Sequence, residues 1–143
     1  MKPSKFVQVL LCLTGGIAIA IGGLILLSPA DFYAMNHIDI GRNVNLLSEI
    51  RAPAGALFTS GVVMILGAFV PQLTFTSLVL ATLIYLSYGL SRLAGMFIDG
   101  LPVASLIWSG GIEIGLGVLC LCMVIDVSRR HVGRSGSQSP AIN

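Results

Sequence analysis

Four long apolar stretches, each ended by a proline or a cluster of turn-forming residues, decide what this chain can fold into. The first runs over 6–27 without a charge and is stopped by Ser28-Pro29. The second covers 52–70 and is closed by Pro71. The third spans 73–98, interrupted only by Arg92. The fourth spans 103–125, interrupted only by Glu113, and follows Pro102. Each lies near the ~20 residues that cross a ~30 Å hydrocarbon layer at a helical rise of 1.5 Å per residue. Composition points the same way: 55% of the 143 residues are hydrophobic and 10% are charged, where a soluble domain carries about 25% charge. The expected fold is an all-α membrane protein, a four-helix transmembrane bundle. It forms one domain over 1–132, with a Ser- and Gly-rich tail at 133–143 that reads as disordered.

Lys and Arg placement gives an orientation. Lys2, Lys5, Arg129, Arg130 and Arg134 flank one side of the bundle. The opposite side holds Arg42 together with Asp31, Asp39, Glu49 and Asp99. The positive-inside rule then places both termini in the cytoplasm of a cell whose inner membrane the chain crosses. The first run is too long for the apolar core of a cleaved signal peptide, so it is read as a retained span. A net charge of +2, with the basic residues split between the ends, disfavours nucleic acid as a partner. The lipid bilayer, a membrane-protein partner, a homo-oligomer, or a lipid or quinone-like ligand fit better.

The stretch from Ala30 to Ile50 is the only sizeable piece outside the spans. Phe32 and Tyr33 suit the headgroup level. Ile38, Ile40, Val44 and Leu46 alternate with polar residues around Gly41, the pattern of a small hairpin. Pro53 is tolerated in a first helical turn, which puts the start of the second helix near 49–52; an earlier start would place Pro53 inside the helix. Seventeen glycines are concentrated in the spans. Thr14 to Gly23 repeats small residues every three or four positions, and Gly111 and Gly115 form a GxxxG pair. Small residues let membrane helices approach closely, within one chain or between copies.

Arg92 and Glu113 are the main functional clue. A charge at bilayer depth costs roughly 2.5–3.5 kcal/mol on insertion scales, so it persists with a partner or a task. Helical rise sets Arg92 about 9 Å and Glu113 about 15 Å below the same end of two adjoining antiparallel helices. That difference is within reach of an arginine side chain, and pairing removes the penalty of either charge alone. Tyr85, Tyr88, Gly89, Met96 and Asp99 share the face of Arg92, while Ser109, Gly110, Gly117 and Cys120 share that of Glu113. Glu49 and Arg51 approach from the second helix. These residues read as an inward polar cluster, serving as a register-fixing salt bridge, a ligand pocket or a proton relay.

Other chemistry is weakly supported. Cys12, Cys120 and Cys122 make no disulfide framework, and residues two apart on a helix cannot chelate one metal together. His37 beside Asn36 and Asp39 lacks a second histidine. No HExxH, GxSxG or P-loop occurs, and no nucleophile stands beside a base. Neither a metal nor a cofactor is expected, and an enzyme is the less favoured class.

Two segments carry a resemblance: Glu49-Ile50-Arg51-Ala52-Pro53-Ala54-Gly55, and Arg92-Leu93-Ala94-Gly95-Met96-Phe97-Ile98-Asp99-Gly100-Leu101-Pro102. Followed by Glu113 in the last span, they resemble a bacterial family of four-helix membrane proteins. That family is known only as domain of unknown function forty-three forty-five, distantly similar in layout to DoxX-like proteins. Its second-helix pattern usually has a further glycine near Ala54, which is a local departure. The resemblance implies fold and topology, and interest in Glu49, Arg51, Arg92, Asp99 and Glu113. The leading functional expectation is a non-enzymatic binder of a membrane partner or amphiphilic ligand. The alternatives are a small transporter or channel-like oligomer using Glu113, and a DoxX-like redox accessory.

Overall fold

The computed structural model describes residues 3–135, with side chains described to Arg129. It is a membrane protein of all-α class, with four long helices forming a bundle and a short fifth lying between the first two. These are α1 (Lys5–Leu27), α2 (Pro29–Ala34), α3 (Val44–Phe69), α4 (Thr74–Asp99) and α5 (Ala104–Ser135). All four long helices have the length and apolar character needed to cross a bilayer. No strand occurs among the described residues.

Local chemistry sets the helix limits. The Ser4 hydroxyl accepts from the Val7 amide at 3.3 Å and caps α1. At the far end the Ser28 amide donates to Leu24 C=O at 2.8 Å, and Pro29 then begins α2, where its missing N–H costs nothing. The stretch read as a hairpin is two helix ends back to back. His37, at φ 61°, closes α2 in the left-handed region, and the Ile38 amide returns to Tyr33 C=O at 3.1 Å. Asp39 Oδ1 accepts from the Gly41 amide at 2.9 Å. Asn43 Oδ1 then accepts from the Asn45 and Leu46 amides at 3.0 and 3.3 Å and starts α3. The second span therefore begins about two turns earlier than 49–52, and Pro53 lies inside it. Proline has no amide to donate, so Glu49 C=O goes without its usual intrahelical bond.

At the other end of the chain, α5 runs well past position 125 to Ser135. The tail expected from position 133 is thus helical through 135, and positions 136 to 143 lie outside the described residues.

The helices associate as two close pairs, α1 with α3 and α4 with α5. In the first, Gly15 and Gly61 face one another so closely that a Cβ on either would stand 2.7 Å from the carbonyl oxygen of the other. In the second, a Cβ on Gly89 would stand 2.6 Å from Ile114 Cγ1, and one on Gly117 would stand 2.7 Å from Leu86. Such contacts bring backbones together where lipid supplies no hydrophobic drive for association.

The pairs join at one end, near the N-termini of α1 and α4 and the α3–α4 link. There Leu11, Met64, Leu78, Ala81 and Cys120 form a sealed core with Val7, Leu10, Ala68 and Tyr85. Three hydroxyls tie helix to helix within it: Ser77 to Val63 C=O at 2.9 Å, Thr74 to Gly67 C=O at 2.8 Å and Tyr85 to Thr14 C=O at 2.7 Å. Gly67 packs directly on Ser77. This is the closed end.

Candidate functional site

Towards the opposite end a cavity of about 710 Å³ lies between the two pairs. Its wall is drawn from all four long helices: Ile17, Ile21 and Ile25 of α1, Leu57 of α3, Ile84 and Tyr88 of α4, and Trp108 and Ile112 of α5. Phe32 and Tyr33 of α2 lie over its mouth, their rings edge to face at 5.7 Å. Asn36 and Ile38 of the following loop also contribute. The Ser105 hydroxyl of α5 donates to Asn36 Oδ1 at 2.8 Å, a polar tie between the two sides.

Arg92 and Glu113 meet on this wall. Arg92 Nε donates to Glu113 Oε2 at 2.9 Å and lies 3.2 Å from Oε1. The Ser109 hydroxyl donates to Oε1 at 3.3 Å. The carboxylate is the deeper partner, with its side chain 13% exposed against 33% for the arginine. Gly89 makes the geometry possible by letting α5 close in beside Glu113, while Gly110 lies under the Arg92 stem, where a Cβ would make ordinary contact at 3.6 Å with Arg92 Cβ and Cδ. Five of the groups aligned from helical spacing, Tyr85, Tyr88, Arg92, Ser109 and Glu113, are thus brought to one cavity.

The rest of the expected cluster is elsewhere. Asp99 is exposed in the last turn of α4, with no hydrogen bond or ion pair to Arg92 or Glu113. Glu49 and Arg51 are exposed on α3; their neighbours Ile50 and Pro53 line the cavity, and they do not. With α3 beginning at Val44, helical rotation turns both outward. Tyr85 does line the cavity, but its hydroxyl is spent on Thr14 C=O of α1. Gly111 and Gly115 are exposed, with no atom within 4 Å of a Cβ placed there, so they take no part in packing within this chain. Gly89, Gly110 and Gly117 make the α4–α5 contact instead.

Sequence reasoning missed the apolar wall, the cover provided by α2, the tie from Ser105 to Asn36, and Trp108. Ser28-Pro29 followed by Asp31 was a readable helix start, as was Asn43. The separation of the helix pairs had no sequence signal. No group of three His, Cys, Asp or Glu side chains among the described residues is placed to hold a metal ion. As a chemical surface the site is one compensated ion pair and a phenol set in an apolar hollow, suited to orienting a polar head above a greasy body.

No curated protein and no solved structure matches the chain significantly. A family model does, over residues 6–124, which takes in α3 and α4 whole, nearly all of α1, the first two thirds of α5, the cavity and the ion pair. The chain belongs to the family described as Domain of unknown function (DUF4345).

Proposed function

We propose that this multi-pass protein of the bacterial inner membrane binds an amphiphilic small ligand in the cavity between its helix pairs. The carrying observation is the cavity itself: its volume falls within the ~300–1,000 Å³ of small-molecule sites, and its charged groups sit together on the α4–α5 wall. Two features favour a ligand arriving from the bilayer. Trp108 lines the cavity yet is 74% exposed, and Ile112 one turn along α5 is likewise exposed, so this flank opens on the span's lipid-facing side. Counting Lys and Arg, which decide orientation, Arg42 and Arg51 flank the mouth, while Lys2, Lys5, Arg129, Arg130 and Arg134 fall in sequence at the start of α1 and the end of α5. By the positive-inside rule the closed end faces the cytoplasm and the cavity belongs to the outer leaflet.

The test is extraction and mass spectrometry of lipophiles that co-purify with the protein in mild detergent. Ile21→Trp places an indole in the hollow and is expected to reduce the bound lipophile at least several-fold. Equal recovery from the wild type and from a folded Ile21→Trp variant would overturn the reading.

A further inference from the structure

A guanidinium has five N–H donors in a rigid fork. In Arg92 the Nε donor serves Glu113. The four donors on its two Nη nitrogens have no acceptor among the described residues. They are not sealed away, because no buried side-chain nitrogen lacks a partner among the described residues and the arginine is one-third exposed on the cavity wall. One helical turn along α4, Tyr88 lines the same wall, and its hydroxyl likewise has no protein partner among the described residues. The hollow therefore offers one charged donor edge, with Tyr33 and Asn36 as neutral donors on the α2 side, in a lining that is otherwise mostly apolar.

Charge then selects the head group. The positive charge of Arg92 is matched at 2.9 Å by Glu113, and among the described residues no other Lys or Arg lines the cavity. An anionic head seated on the Nη edge would bring a second negative charge beside the carboxylate, with no second cation to offset it. In a weakly screened apolar wall that repulsion is strong. A ketone, ester or amide oxygen adds no net charge there and still gains charge-assisted hydrogen bonds from the guanidinium. We infer that the cavity selects lipophiles with an uncharged carbonyl-type head, held by the Nη edge of Arg92, and that Glu113 turns away anionic amphiphiles. The inference rests on the cavity-binding reading and adds the class of ligand. It gives Glu113 two tasks: aiming the guanidinium and cancelling its charge.

Two photoactivatable probes of equal chain length test it, both carrying a diazirine in the chain. One ends in a methyl ketone and the other in a carboxylate. Each is added to the full-length protein in nanodiscs of zwitterionic phospholipid, and labelled residues are mapped by peptide mass spectrometry. The ketone is expected to label cavity residues saturably and to exceed the carboxylate by about tenfold, the effect of a modest repulsion between the anionic head and Glu113. Glu113→Gln keeps the shape of the side chain and should reverse the order, because the arginine charge is then left for an anion. Equal or stronger labelling by the carboxylate in the wild type would overturn the head-group rule while leaving cavity binding intact. An unchanged preference in a folded Glu113→Gln protein would remove Glu113 from it. Absence of saturable cavity labelling by either probe would sink the cavity-binding reading as well. The wild-type comparison needs no variant, so it stands if Glu113→Gln fails to fold.

Discussion

The two ends of the bundle are built from the same helices and solve opposite problems. At the closed end, Leu11, Met64, Leu78 and Ala81 are fully enclosed, and buried hydroxyls bond across helices to backbone carbonyls. At the mouth the helix pairs stay intact while the space between them opens. Gly15 with Gly61 at one level, and Gly22 with the Ala54–Phe58 turn nearer the mouth, hold α1 against α3 along most of its length. Gly117 and Gly89 do the same for α4 and α5. A cavity in such a molecule is therefore a seam left open between two tight units. Opening it costs neither unit its internal contacts.

The largest effects should fall at the closed end. Leu11→Ala or Leu78→Ala removes a side chain with no exposed surface and leaves a void that close-packed neighbours cannot fill. The expected loss is about 2–4 kcal/mol of unfolding free energy. Ile21→Ala on the cavity wall removes atoms that already border open space, so its expected loss is below about 1 kcal/mol. Unfolding curves in mixed micelles give both values. Equal losses would mean that the hollow is as well packed in the membrane as the core.

The ion pair tests the boundary between the two regimes. Glu113→Gln leaves Arg92 without its counter-charge. Breaking a fully buried pair costs about 3–5 kcal/mol, and with a third of the arginine exposed the expected loss is about 1–2 kcal/mol. Arg92→Met combined with Glu113→Met removes both charges and should be less harmful than the two single losses added together. A double-mutant cycle of thermal stability in detergent measures the coupling, expected at about 1 kcal/mol. Additive losses would show that the contact at 2.9 Å contributes nothing to stability.

Legibility from sequence divides along the same line. Span number and length followed from apolar run length, because a bilayer fixes what crosses it. The meeting of Arg92 and Glu113 followed from depth arithmetic on two helices joined by a four-residue link. Asp99 was placed with them by face alone, but it lies about two turns further along, exposed in the final helical turn. Gly111 and Gly115 matched a packing motif, yet they lie on the side of α5 opposite Glu113, and the close α4–α5 contact uses that nearer side. Ile38 and Ile40 alternate as a strand would, but positive φ at His37 and Gly41 and the cap at Asn43 use the segment to end one helix and start another. A ligand pocket was one reading of the polar cluster, but the size of the cavity and its apolar wall were not legible. That size depends on how far two rigid pairs diverge, and no residue encodes that distance alone.

The smallest expected effect separates stability from access. Ser105 and Asn36 are joined by one hydrogen bond at 2.8 Å, at a position open to water, between the loop that follows α2 and the start of α5. An exposed bond of this kind competes with solvent, so Ser105→Ala should lower unfolding free energy by less than about 0.5 kcal/mol. Its consequence for motion is different. Beyond this bond α2 is held by its chain connection at Ser28-Pro29 and by light packing on α1 and α3. Local opening free energies are set by such few contacts rather than by global stability. Hydrogen exchange in nanodiscs should therefore quicken at the amides of 31–38 in Ser105→Ala, while those of 61–68 at the closed end keep wild-type protection. A wild-type exchange pattern over α2 would show that Phe32 and Tyr33 are fixed over the cavity by packing alone. Faster exchange confined to α2 would make that short helix a cover whose movement is independent of the core beneath it.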